Sequence, residues 1–249
     1  MKMTQYRWKD IAWRDLWLLP IFIISQLILG MLVPVIYFFM TGTIEVFTDE
    51  GLVFNDTITY LIEIVSLVSY IIVVISFWLL HFKSMKQRFK LGIQGIKDYW
   101  KWIVVAYLIA MAASQAYGWI KEFLPEKFQY GTPQNEMLVS EMIHNLALLP
   151  VSFLFIAVFA PIVEEIIFRH ILIGELGKKL NFKVMAVISV IIFAAFHVTN
   201  ASSPFEIVDY LIIAIPLVWL YLKSNRNLGV TIGFHILNNF LAFVLELLL

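Results

Sequence analysis

The feature that most restricts the fold of this chain is a series of apolar segments, each long enough to cross a lipid bilayer. A membrane-spanning helix needs about 20 mostly apolar residues, and the 249-residue chain has seven such segments. They are 17–40, 57–80, 102–120, 146–177, 184–201, 207–222 and 228–248. The sequence therefore predicts an all-α, polytopic membrane helix bundle with seven transmembrane helices, or eight if Pro150 marks a further, broken span.

The composition supports a membrane protein and excludes several classes of function. Hydrophobic residues make up 61% of the chain and charged residues 14%, against about 25% charged residues in soluble proteins. The net charge is zero, and no basic stripe alternates with aromatic residues, so a nucleic-acid partner is not expected. The chain has no cysteine, which excludes disulfides, thiolate metal ligands and a cysteine nucleophile.

The basic residues predict the orientation of the bundle. With the seven spans above, sixteen of the 18 Lys and Arg residues fall on the side of the N-terminus, and only Lys121 and Lys127 fall on the other side. Basic residues are enriched in cytoplasmic loops, so we expect a cytoplasmic N-terminus. The abundance of Ile, Phe and Lys is typical of AT-rich bacterial genomes. We therefore expect an integral protein of a bacterial cell membrane.

Ionisable side chains are concentrated in the last four spans. In the first three spans, Glu63 lies near a membrane edge and is expected to snorkel toward water. The later spans contain three short motifs, and buried ionisable groups in a membrane are costly and usually functional. The motifs are EExxxR (Glu164, Glu165, Arg169), FxxxH (Phe193, His197) and HxxxN (His235, Asn239). We predict one domain, 1–249, in which 1–145 is a scaffold and 146–249 carries the functional residues.

The spacing of the motifs places them at compatible depths. The polar turn between Lys178 and Lys183 has its centre between residues 180 and 181, and Glu164 and His197 are equally far from that centre. In an antiparallel helical hairpin they would lie at the same depth, about 25 Å along each helix. Pro161 is expected to kink the first of these helices. His235 lies at an intermediate depth, which helix tilt can reconcile with the other two.

Helical periodicity suggests how the side chains within each motif are arranged. Residues four apart share a helix face, so Glu165 can pair with Arg169, which leaves Glu164 as the freer carboxylate. His235 shares a face with Asn239, and the angle does not exclude Asn238. Phe193 is expected to pack beside His197. Each piece alone could be structural, but two acids, two histidines and an amide from three helices favour catalysis or ion binding.

The three motifs, in this order, resemble those of the CPBP intramembrane proteases, also called the Abi family. This family includes type II CAAX prenyl proteases and bacteriocin-processing or immunity proteins. The resemblance covers about 150–249, and every motif residue matches. It implies that Glu164 and His197 activate water, and that His235 and Asn239 stabilise the charge that develops on the substrate.

The chemistry of the residues leads to the same expectation. A carboxylate in a low dielectric can serve as a general base near neutral pH, so Glu164 with His197 could activate a water that attacks the scissile carbonyl. His235 and Asn239 could donate hydrogen bonds to the oxyanion, and Glu165 with Arg169 would orient the base. Glu164, His197 and His235 would also suit zinc, but we favour a mechanism without a required metal or other cofactor.

The sequence predicts the reaction class more closely than the substrate. The expected partners are the lipid bilayer and a membrane-associated peptide or protein, and we favour peptide maturation or immunity over CAAX processing. The alternatives are a transporter or an ion or proton relay that uses the buried Glu and His residues, or a non-catalytic immunity protein. A transporter predicts inverted repeats, whereas the polar groups of this chain lie in one half.

Overall fold

The fold is a bundle of eight helices in the part of the chain that the structure describes. This computed structural model describes residues 6–42 and 56–248, and no strand occurs in these ranges. The helices are α1 (Leu18–Thr41), α2 (Asp56–Leu80), α3 (Phe82–Lys121), α4 (Gln134–His144), α5 (Leu149–Leu180), α6 (Phe182–Phe196), α7 (Ile207–Lys223) and α8 (Leu228–Leu248). Single 3-10 turns at Trp8–Asp10 and Trp13–Trp17 precede α1.

Six of the helices, α1, α2, α3, α5, α7 and α8, are long and apolar enough to cross a membrane. The prediction of a polytopic helical membrane bundle is therefore confirmed. The predicted span 184–201 is shorter than expected, because α6 has 15 residues and His197 caps its C-terminal end. Fifteen residues rise about 22 Å, less than the roughly 30 Å of the hydrocarbon layer, so α6 alone is too short to cross that layer.

Helix α3 corrects the predicted loop between the second and third spans. The sequence predicted a basic loop followed by a span at 102–120, but α3 is one continuous helix of 40 residues. The segment 82–101 contains five lysines and two glutamines, which favour helix even where the chain is too polar to cross a membrane. Hydropathy identified only the apolar half of α3, because it measures lipid compatibility and not helix formation.

Helix α5 contains two stretches of wide, π-helical turns, at Leu154–Phe159 and Glu165–Leu176. Pro161, which the sequence predicted as a kink, lies in the α-helical turn between them. Proline has no N–H to donate to the preceding turn, and the carbonyl of Ile156, five residues earlier, accepts a hydrogen bond from Asn239 instead. The irregular turns of α5 thus provide a bonding position for a side chain of α8.

Helix α5 occupies the middle of the bundle, and α2, α6 and α8 pack against it. Helix α8 also contacts α3 and α7, whereas α1 packs mainly on α2. The side chains of Val163, Leu217 and Phe234 are completely buried in the shared core. This arrangement brings the three helices that carry the sequence motifs next to one another.

Helices α3 and α8 approach each other closely at a pair of glycines. A Cβ atom built on Gly229 would lie 2.3 Å from the Cα of Gly92. Small residues allow such backbone contact between membrane helices, where packing replaces the hydrophobic effect as the main attraction. The two glycines therefore set the distance of α8 from α3.

Glu63 does not snorkel as predicted. It is only 4% exposed and accepts a short hydrogen bond from the hydroxyl of Ser152. The prediction was wrong because snorkelling assumes a lipid-facing position, whereas α2 turns this residue toward α5. A buried polar group needs a partner, and Ser152 provides it.

Candidate active site

A cavity of about 250 Å³ lies among α4, α5, α6, α7 and α8. Its walls include four residues that the sequence analysis singled out for chemistry, Glu164, His197, His235 and Asn239. Helix α4 also lines it, and α4 follows the end of α3 that is remote from the N-terminus. The cavity is therefore bounded by α4 at the end of the bundle opposite the N-terminal segment.

The carboxylate of Glu164 lies between two imidazoles. Its Oε2 is 3.9 Å from Nε2 of His197 and 3.6 Å from Nε2 of His235. Glu164 and His197 meet because α5 and α6 form an antiparallel hairpin around Asn181, whose φ of 73° makes the turn. The centre of this hairpin is where the sequence placed it.

Hydrogen bonds to Nδ1 fix the orientation of both imidazoles. Nδ1 of His197 lies 2.7 Å from the carbonyl oxygen of Phe193, and a carbonyl only accepts, so this nitrogen carries the proton. Nδ1 of His235 lies 3.0 Å from Oε1 of Glu165. In their neutral forms, both rings therefore present an unprotonated Nε2 toward Glu164.

Glu165 and Arg169 form an ion pair that is entirely withdrawn from solvent. Nη1 of Arg169 lies 3.2 Å from Oε1 of Glu165, and both side chains are 0% exposed. The pairing has the i, i+4 spacing that the sequence indicated, but Glu165 has a second partner in His235, which sequence spacing could not reveal. The ion pair thereby connects α5 to the imidazole of α8.

Phe193 separates the guanidinium of Arg169 from the imidazole of His197. The guanidinium carbon lies 4.6 Å from the ring centroid of Phe193, and the centroid of His197 lies 4.6 Å from the same ring. Phe193 thus packs beside His197, the position that the sequence spacing favoured. The aromatic face also stabilises the buried cation through a cation–π contact.

Asn239 is held by two hydrogen bonds. Its Nδ2 donates to the carbonyl of Ile156 at 3.0 Å, and its Oδ1 accepts from Nδ2 of Asn238 at 3.2 Å. An amide nitrogen has two protons, so one N–H of Asn239 remains available. Asn238, which helical angle could not exclude, also lines the cavity and contacts Asn239 directly.

Tyr210 and Glu136 are polar residues of the cavity wall that the sequence did not indicate. The ring of Tyr210 in α7 stacks on His197, with centroids 4.9 Å apart and planes 23° apart. Glu136 of α4 lines the same cavity. The residue as a whole is exposed, but withdrawal of its carboxyl from water raises the pKa of that carboxyl to about 7. The nearby carboxylates of Asp209 and Glu246 add to the rise. Neither residue belongs to a motif, and nothing in the sequence relates α4 or α7 to the other helices.

The donor groups around Glu164 fit a zinc ion. Zinc-binding imidazoles usually donate their second N–H to a carboxylate or a carbonyl, as His235 and His197 do. Glu164, His197 and His235 would hold such an ion, which would polarise a bound water. A different group of residues has ligand atoms that all lie within 4.8 Å of one another. Among the residues that the structure describes, this group is Asp15, His81 and His170.

The fold and the site define a polytopic membrane protein with acidic, imidazole and amide side chains gathered in a cavity within the bundle. Residues 146–241 match the family described as Type II CAAX prenyl endopeptidase Rce1-like. This part of the chain is therefore similar to the CPBP intramembrane proteases, as the three motifs indicated.

Two curated proteins are similar to the chain. It is 24% identical over 242 residues to "Membrane-embedded CAAX protease MroQ" of Staphylococcus aureus (strain USA300), a match that covers 95% of this chain and 90% of MroQ. It is 25% identical over 146 residues to YdiL of Bacillus subtilis (strain 168), whose name is that of a candidate membrane peptidase. That match covers 59% of this chain and only 56% of YdiL. No solved structure gives a significant match.

Proposed function

We propose that the protein is an intramembrane endopeptidase that hydrolyses a peptide bond of a membrane-associated peptide or protein with water activated by Glu164. The observation that carries the proposal is the position of the Glu164 carboxylate, with Oε2 3.6 Å and 3.9 Å from the Nε2 atoms of two histidines. The same cavity exposes the amide of Asn239. The match of residues 146–241 to the Rce1-like family supports this reaction class.

Activation of water falls to Glu164 and His197. A water held between the carboxylate and Nε2 of His197 can donate one proton to each group, because both are acceptors when His197 is neutral. As the water oxygen attacks the scissile carbonyl, its proton moves to Glu164. Glu164 then delivers that proton to the leaving amine when the carbon–nitrogen bond breaks, so no covalent intermediate is needed.

Stabilisation of the oxyanion falls to His235 and Asn239. Asn239 has one free N–H, and its bond to Ile156 keeps the amide from rotating. His235 can donate from Nε2 only as an imidazolium, because its Nδ1 proton is shared with Glu165. The Glu165 carboxylate compensates that positive charge, and Arg169 compensates Glu165, so the three groups form a chain of alternating charge.

The residues account for this reaction without a required metal, and metal independence remains part of the proposal. Zinc held by Glu164, His197 and His235 would supply a polarised water in place of the carboxylate base. Dialysis against a chelator distinguishes the two mechanisms. Unchanged cleavage after removal of zinc supports the glutamate mechanism. Loss of cleavage that zinc restores would refute it if the Asp15→Asn variant, which lacks a ligand of the other histidine group, behaves in the same way.

The position of the cavity bears on the substrate. Helix α4 lines it at the end of the bundle opposite the N-terminus, and the distribution of basic residues favours a cytoplasmic N-terminus. A substrate would then reach the cavity from the outer side of the membrane. This geometry favours maturation of an exported peptide, or immunity to one, over CAAX-type processing at the cytoplasmic face.

The test compares the wild type with Glu164→Gln, each reconstituted with membrane peptides of the host, and identifies new peptide termini by mass spectrometry. The matched control is Glu141→Gln, which removes an exposed carboxylate from α4. New termini with the wild type and the control, but not with Glu164→Gln, are expected. Identical termini from all three folded proteins would refute the proposal, and ion flux through the same vesicles would then test the relay alternative.

A further inference from the structure

A second group of buried polar side chains lies outside the cavity, beside the N-terminal segment. Asp15 is in the 3-10 turn before α1, His81 joins α2 to α3, and His170 is in the second π-helical stretch of α5. Their exposed fractions are 0%, 3% and 8%. None of the three lines the cavity around Glu164, so the group is separate from the candidate active site.

Both imidazoles of this group face one carboxylate oxygen. Oδ2 of Asp15 lies 2.7 Å from Nε2 of His170 and 3.0 Å from Nε2 of His81. One ligand atom from each residue lies within 4.8 Å of the other two. Two imidazole nitrogens and one carboxylate oxygen are a donor set that zinc and other divalent transition metals bind in proteins.

The second carboxylate oxygen shows that hydrogen bonding alone leaves the group incomplete. Oδ1 of Asp15 is buried and has no hydrogen-bond partner among the residues that the structure describes. Its nearest charge is Nε of Arg14, 3.7 Å away on a side chain that is 60% exposed. A buried acceptor without a partner is costly, and a metal ion, or a water bound to it, would satisfy this oxygen.

Attachment of the N-terminal segment does not require these three residues. The backbone N–H of Ala12 donates to Glu175 at 2.7 Å, and Nζ of Lys178 donates to the carbonyl of Asp10 at 2.9 Å. These two bonds already hold the segment against the end of α5. A simple anchoring function therefore does not explain why a buried carboxylate and two buried histidines meet beside them.

We propose that Asp15, His81 and His170 bind a divalent transition metal, with zinc as the first candidate. The imidazoles bind through Nε2 and Asp15 through its carboxylate, and a fourth position is left for water. Each imidazole then carries its proton on Nδ1, and Nδ1 of His81 lies 3.5 Å from Nη2 of Arg14. The positive Arg14 guanidinium disfavours a proton on this Nδ1 and must turn toward solvent when the metal binds. Arg14 therefore weakens metal binding.

The experiment measures zinc bound to the purified full-length chain in detergent, in a Glu164→Gln/His197→Gln background that removes two of the three possible zinc ligands of the cavity. After equilibration at micromolar free zinc, we expect one equivalent by elemental analysis. Adding Asp15→Asn or His170→Gln should reduce this to none. His144→Gln, which removes a histidine at the far end of α4, is the matched control and should retain one equivalent.

Two further measurements keep the proposal testable if a ligand variant does not fold. X-ray absorption of zinc in the background protein should show two imidazole nitrogens in the coordination shell, and adding Arg14→Gln should tighten binding severalfold. Absence of zinc from the folded background protein would overturn the proposal, as would a shell without imidazole or full binding by folded Asp15→Asn. The group would then be a hydrogen-bonded clamp only.

Discussion

The buried ion pair between Glu165 and Arg169 makes the stability of the bundle depend on charge balance. Both side chains are 0% exposed and their charged atoms are 3.2 Å apart. Replacing Arg169 with methionine leaves the Glu165 carboxylate in the core with His235 as its remaining partner. Breaking one side of a buried pair costs about 3–5 kcal/mol, so we expect Arg169→Met to lower the free energy of unfolding by that amount.

The double variant Glu165→Gln/Arg169→Met separates the charge from the packing. With both charges removed, no uncompensated ion remains, and much of the lost stability should return. Peptide cleavage should not return, because the substituted amide cannot compensate the charge of a protonated His235. Stability and activity should therefore respond differently, which a merely structural ion pair would not produce.

The assay is denaturant unfolding in mixed micelles, followed by helical circular dichroism, with cleavage measured on the same samples. Arg7→Met is the control, because Arg7 pairs with Asp10 at 3.7 Å while its side chain is 69% exposed. An exposed pair contributes at most about 1 kcal/mol. If Arg169→Met cost no more than Arg7→Met, or if the double variant were less stable than Arg169→Met, the reasoning about the buried pair would be wrong.

Three further predictions concern other parts of the structure. Asn239→Ala should lower kcat by a factor of about 10²–10³, because it removes one oxyanion donor, and should leave KM nearly unchanged in steady-state cleavage. A rise in KM as large as the expected fall in kcat would indicate that Asn239 binds substrate instead. Gly229→Ala should destabilise the bundle by roughly 1–3 kcal/mol, because the new Cβ would lie 2.3 Å from the Cα of Gly92. The control Gly30→Ala, whose Cβ would have nothing within 4 Å, should not destabilise it. Equal melting temperatures of the two variants would contradict the close contact. Withdrawal of the carboxyl from water raises the pKa of Glu136 from 4.5 to about 7, so the stability that this shift contributes is complete below pH 4.5 and is lost as the pH rises through 7. The melting temperature should therefore fall over this range, and a Glu136→Gln variant with the same slope would refute the assignment.

The helical segments and the principal polar residues could be predicted because each depends on local information. Apolar length predicts membrane helices, and the i, i+4 spacing predicts the pairing of Glu165 with Arg169. The depth match of Glu164 and His197 required only a count from the turn, since an antiparallel hairpin preserves that count. The roles of these residues in catalysis stay predictions until the variants are assayed.

The remaining contacts depend on how distant helices pack, which residue spacing does not encode. The hydrogen bond between His235 and Glu165 joins residues 70 positions apart. The stacking of Tyr210 on His197 joins α7 to the end of α6. The burial of Glu63 also follows from the side of α2 that faces α5. In each case the residue type was visible in the sequence, but its partner was not.

The short length of α6 has a consequence for the supply of water, the second reactant in any hydrolysis. A helix that stops about 8 Å short of the hydrocarbon thickness replaces part of the apolar wall with the turn that begins at His197. Polar backbone in that turn can support hydration down to the level of the imidazole. The early end of α6 thus places polar backbone, instead of further apolar helix, beside the imidazole of His197.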